Sequence, residues 1–84
     1  MEEFYKSYYI HTLVDLCTDS DCWVPKVEVI WEEHGGSRCK QLAGPKDLFK
    51  IFDNAEIYAV EMARGWIDDE IIYRRNAMAD ASAS

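Results

Sequence analysis

The sequence predicts an α+β fold: an antiparallel meander of three or four strands with one C-terminal helix packed on one face, β-β-β-(β)-α. Three observations carry this reading. Residues 52–73, FDNAEIYAVEMARGWIDDEIIY, place apolar side chains at helical spacing. The segments 5–16 and 23–33 alternate apolar and polar residues, as half-buried strands do. Short turn sequences separate the patterns, His34-Gly35-Gly36-Ser37 being the clearest, and short connections favour pairing between neighbours in sequence.

Within the helical segment, Asp53 is a good N-cap and Glu56 follows three residues later, the spacing of a capping box. Ala55, Ala59 and Ala63 recur every four residues, with Met62 and Trp66 beside them to supply bulk. Small side chains let a helix lie close to what it covers. The helix is expected from about Asn54 to about Ile72. Gly65 interrupts it at a penalty of roughly 1 kcal/mol against Ala, unless it serves a close approach or a slight break.

The first strand, Tyr5 to Leu16, puts Tyr8, Ile10, Thr12, Val14 and Leu16 on one face and Tyr5, Ser7, Tyr9, His11 and Asp15 on the other. Residues 18–21, Thr-Asp-Ser-Asp, make a turn, since their short polar side chains bond their own backbone. The second strand, Trp23 to Glu33, sets Trp23, Val27, Val29 and Trp31 against Lys26, Glu28 and Glu32, with Val24 and Ile30 breaking the alternation. Pro25 cannot donate to a ladder, so this strand should begin at an edge or bulge. A third, polar strand is expected over Ser37 to Leu42, with Arg38 and Lys40 on one side and Cys39 and Gln41 on the other. For Leu48 to Phe52 a short fourth strand is preferred to a helical turn beginning at Pro45, because Phe52 leads directly into Asp53. Residues 1–4 are expected to be loosely held. Residues 1–75 form a single domain on this reading, and residues 76–84 a disordered tail.

The formal net charge is −7, divided as −4 over residues 1–25, +1 over 26–50 and −4 over 51–84. This balance disfavours generic binding to nucleic acid or anionic membrane, which relies on Lys and Arg. No apolar run approaches the ~18 residues of a membrane span. The N-terminus, MEEFYK, lacks a signal-peptide pattern, so a cytoplasmic location is expected. Three cysteines do not suit a secreted disulfide framework.

Cys17, Cys22, His34 and Cys39 resemble a zinc ligand set on paper. In a meander, however, the first two flank one turn and His34 begins the next. The strand between would separate them by about 30 Å. Cys17 and Cys22 instead face each other across their own hairpin. Asp15, Asp19 and Asp21 lack the Gly and later Glu of a calcium loop. Neither His11 nor His34 lies in a catalytic motif, and no glycine loop opens a helix to cradle phosphate. No enzyme activity, metal or cofactor is expected.

A β-β-β-α order is also the back portion of the double-stranded RNA-binding domain. That family carries a preceding helix and a lysine-rich start to its last helix, whereas this helix opens Asn54-Ala55-Glu56-Ile57. A second resemblance rests on Tyr5-Lys6-Ser7-Tyr8-Tyr9-Ile10, on Trp23-Val24-Pro25, on the Gly-rich hairpin and on Trp66-Ile67-Asp68. This pattern resembles a group of small uncharacterised bacterial proteins, and implies a stand-alone sheet-plus-helix domain without a known activity.

One helix covers one sheet face, so the other face meets solvent or a partner. Three Trp, five Tyr and three Phe exceed what one small helix covers. The expected function is a non-enzymatic interaction or regulatory module acting through the open sheet face or edge, with a protein partner or a second copy. A nucleic-acid-associated protein is the alternative, and a small phage-type inhibitor the next. Candidate surface residues are Tyr5, Tyr9, Lys26, Arg38 and Lys40.

Overall fold

A computed structural model describes the backbone of residues 1–83 and the side chains of residues 1–76. The expected tail at 76–84 lies almost wholly outside the residues described with side chains. Six strands precede one helix: β1 (Glu2–Tyr5), β2 (Tyr8–Thr12), β3 (Asp15–Cys17), β4 (Cys22–Val24), β5 (Lys26–Glu33), β6 (Gly36–Ala43) and α1 (Phe52–Ala83). Strands β1-β2-β5-β6 form an antiparallel four-stranded sheet in that order, and β3-β4 a separate hairpin. The fold is therefore α+β, a meander whose central link carries a two-stranded excursion.

The fourth strand of the sheet is not where the alternation placed it. Residues 48–52 contribute only an isolated bridge, Trp23 to Phe49, in which Trp23 N donates to Phe49 O at 2.7 Å. Phe49 packs its ring on Tyr58 at 5.1 Å while Leu48 and Ile51 point to solvent, so no ladder develops. The sheet instead gains its edge from Glu2–Tyr5, part of the stretch expected to be loose. A two-residue turn at Lys6-Ser7, with φ of 50° and 72°, folds β1 onto β2. Positive φ at both positions is the turn geometry that matches strand twist, though Asn and Gly adopt it more readily.

The long strands are also shorter than expected. Pro25 lacks an N–H and separates β4 from β5, while Leu13 and Val14 separate β2 from β3. The breaks are bridged by Leu13 N donating to Lys26 O and Gly44 N donating to Pro25 O. The β5–β6 turn is His34-Gly35, both at positive φ and within the expected turn at 34–37; Gly36 already pairs with Glu33.

Tyr8, Ile10, Val27 and Val29 from the sheet meet Ala59, Ala63 and Ile67 from α1 in the core. Ala55, Ala59 and Ala63 are fully buried, so the small-residue row does bring the helix close. The bulky helix anchor is Ile67, fully buried, whereas Trp66 is only half-buried. Trp66 instead closes an aromatic group at one end of the core, 5.4 Å from Trp31 and 6.4 Å from Tyr8. The capping box is not formed. Glu56 accepts from Thr12 Oγ1 at 3.3 Å, because its place beside the sheet puts that hydroxyl in reach. Gly65 serves no close approach: a Cβ there would meet nothing within 4 Å.

Candidate interaction surface

Alternation along each strand separates two sheet faces. Tyr8, Ile10 and Thr12 of β2 and Val27 and Val29 of β5 face the helix. Their neighbours Tyr9 and His11, and Glu28, Ile30 and Glu32, face away. The registers Phe4↔Tyr9, Tyr9↔Ile30 and Ile30↔Cys39 place these four residues in one row across all four strands. Phe4 is 77% exposed, and its ring meets Tyr9 edge-on at 5.1 Å. Tyr9 and Ile30 are half-buried, and a shallow groove runs between this row, Ser7 and Ser37.

The next row, by the same registers, is Glu2, His11, Glu28 and Gln41. Gln41 Nε2 donates to Glu28 Oε2 at 3.2 Å. His11 Nδ1 stands 3.2 Å from Glu2 Oε1. The neighbouring Tyr9 hydroxyl holds the Glu2 carboxyl below its ordinary range, with the nearby His11 adding to the effect, and the carboxylate in turn raises the Tyr9 phenol. Glu32, exposed, lies on the other side of the apolar row. The open face is thus an apolar band between acidic flanks.

The five candidate residues do not form one surface. Tyr9 lies in the open-face row. Tyr5 lies on the helix side, because the Lys6-Ser7 turn pairs it with Tyr8. Its hydroxyl donates to Asp68 of α1 at 3.0 Å and the Arg64 guanidinium lies 5.7 Å from its ring centre, so it clamps the helix. Lys26 is on the open face but at its far end, 3.9 Å from Asp15. Arg38 and Lys40 pair with Trp31 and Val29, which puts them on the helix side of edge strand β6. Arg38 Nε approaches Glu33 at 3.8 Å.

Phe4 and Ile30 were missed. The signal for Ile30 was present as a break in alternation on an otherwise polar face. Phe4 carried none, because its strand depends on a turn of unremarkable residues. Further apolar exposure lies along α1, at Ile57, Tyr58, Ile72 and Tyr73.

Among the described residues, no three His, Cys, Asp or Glu gather closely enough to hold a metal ion. Cys17 and Cys22 face each other directly across β3–β4, while His34 and Cys39 belong to the β5–β6 hairpin. No helix among the described residues is long and apolar enough to cross a membrane. Comparison with known protein families, curated proteins and solved structures finds no match.

Proposed function

We propose that this protein is a non-enzymatic interaction module that engages another protein through its open sheet face. The observation that supports this is the row Phe4–Tyr9–Ile30–Cys39, which crosses every strand of the sheet on the side α1 leaves uncovered. Flat apolar bands with polar borders are what protein interfaces use. The border here is Glu2, Glu28 and Glu32, so the partner surface that complements it has an apolar centre and basic flanks. A second copy is the weaker fit, since two such faces in contact set like charges against each other. Stacking of single-stranded nucleic acid calls for aromatic and basic groups on one surface. Tyr9 sits among carboxylates, with Arg38 and Lys40 on the opposite face, which weighs against that use.

The test is site-specific photocrosslinking in the producing cell, with a benzophenone side chain at position 4 or at position 57. Capture of a discrete protein from position 4, absent from position 57 and abolished by Ile30→Glu, is the expected result. Crosslinks confined to position 57, or none from position 4, would overturn the reading. A crosslink from position 4 to a second copy would replace the heterologous partner with a homodimer.

A further inference from the structure

The β3–β4 hairpin carries a feature that the open face does not use. Cys17 and Cys22 are directly paired across it. Residues so paired in an antiparallel ladder have Cα atoms ~4.5–5.5 Å apart, within the range a disulfide spans. Both are free thiols, Cys17 half-buried and Cys22 2% exposed. Turn residue Ser20 lies beside the pair. Cys22 Sγ donates to Ser20 O at 3.4 Å. Polar groups of the Ser20 side chain, and then of the Ser20 and Asp19 backbone, lie near enough to hold the Cys17 thiol below its ordinary pKa. These groups outweigh the opposing charge of Asp19.

We propose that Cys17 and Cys22 form a reversible dithiol–disulfide site at this hairpin tip, Cys17 attacking and Cys22 resolving. The oxidant is a low-molecular-weight disulfide such as glutathione disulfide. The Cys17 thiolate attacks one of its sulfurs; the S–S bond breaks, a Cys17 mixed disulfide forms and one thiolate leaves. Cys22 gives its proton to solvent and attacks Cys17 Sγ. The second thiolate departs and takes up a proton. Two protein thiols are oxidised to one disulfide, and the small disulfide is reduced to two thiols. The burial difference suits the division of labour. Cys17 can meet a small molecule, while Cys22 needs to meet only Cys17.

Ser20 connects this site to the segment leading into α1. Its Oγ donates to Lys46 O at 2.6 Å, and its carbonyl accepts from Lys50 Nζ at 3.3 Å. Forming the disulfide removes the Cys22 contact to the Ser20 carbonyl, the oxygen that also accepts from Lys50 Nζ, and so alters the attachment of residues 46–50.

The experiment uses the full chain carrying Cys39→Ser, equilibrated with reduced and oxidised glutathione near neutral pH, acid-quenched, alkylated and mapped by mass spectrometry. Loss of both thiols together into a Cys17–Cys22 bond is the expected result. Adding Cys22→Ser should halt the reaction at a lasting mixed disulfide on Cys17. In the reduced protein Cys17, half-buried, should be alkylated faster than Cys22, which is 2% exposed, by about threefold or more. A mixed disulfide that persists on Cys17 while Cys22 is present would overturn the proposal, as would two thiols that stay reduced. Alkylation of Cys22 as fast as that of Cys17 would overturn the assignment of Cys17 as the attacking thiol.

Discussion

The two faces of the four-stranded sheet are built from alternate residues of the same strands, yet they meet opposite fates. On one, Ile10, Val27 and Val29 are essentially inaccessible beneath Ala59, Ala63 and Ile67. On the other, Phe4, Tyr9 and Ile30 make an apolar row that nothing in the described residues covers. Polar contacts follow the same division. On the helix side they tie sheet to helix: Arg64 holds Glu3 through two hydrogen bonds of 2.7 and 2.8 Å, Asp68 receives Tyr5 and Lys6, and Arg74 reaches Glu33 at 2.9 Å. On the open side they stay within the sheet, as with His11–Glu2 and Gln41–Glu28. Polar pairing on the helix side fixes the position of α1, whereas on the open side it leaves the apolar row available.

The largest expected difference comes from truncating one residue of each face. Ile67→Ala removes the bulky helix anchor, and a buried Ile-to-Ala change costs about 2–5 kcal/mol. Phe4→Ala should alter stability by less than about 0.5 kcal/mol, as at other surface positions. Urea denaturation followed by circular dichroism measures both. Comparable losses at the two positions would mean that Phe4 is covered in solution, and the loss would then depend on protein concentration.

A smaller effect tests how closely α1 and its leading loop approach the sheet. A Cβ on Gly44 would stand 2.7 Å from both Pro25 Cγ and Tyr58 Cε1. Gly44→Ala forces the proline break and the helix apart, and overpacking of this kind costs about 1–3 kcal/mol. If the midpoint does not shift, the loop moves freely and does not tie Pro25 to α1.

The polar clamps yield a pH dependence. The Asp68 carboxyl is held below its ordinary range first by the Lys6 hydrogen bond and then by that of Tyr5; Glu33 is held down chiefly by Arg74. A carboxyl with a depressed folded-state pKa stabilises the fold fully above its unfolded-state value. That stability is lost as pH falls through the folded-state value. The urea midpoint should therefore hold near neutrality and decline below about pH 4. Asp68→Asn with Glu33→Gln should make the acid decline shallower. These groups remain partly open to solvent, so the change is modest and weakens in salt. An unchanged acid profile in the double variant would show that the clamps do not hold α1 in place.

The sequence made the covered face far more legible than the open one. The Ala55/Ala59/Ala63 row and the alternation in Tyr8–Thr12 and Val27–Trp31 identified the helix, the two central strands and the buried face, because burial acts on every second or fourth residue. Glu2–Tyr5 was missed because its pairing is set by Lys6-Ser7, and neither residue advertises positive φ. That one turn also moved Tyr5 to the helix side and brought Phe4 beside Tyr9, so the candidate surface changed with it. Residues 48–52 alternate like a strand, but among the described residues they pair only through the isolated bridge from Phe49 to Trp23, and pairing is a property of the neighbour as much as of the segment.

The smallest effect concerns the side of α1 that faces neither sheet surface. Gly65 lies exposed in the middle of the helix, and a Cβ built on it meets no atom within 4 Å. Alanine there adds no contact and removes none, so only the backbone term remains. Glycine has more conformational freedom to lose when a helix forms, and the substitution should stabilise the fold by up to about 1 kcal/mol. The thermal midpoint measures this, and Phe4 supplies the control: a change at an exposed sheet position should not produce the same gain. If Gly65→Ala destabilises instead, this part of the helix face is covered in solution. A partner would then approach along α1 rather than across the row from Phe4 to Cys39.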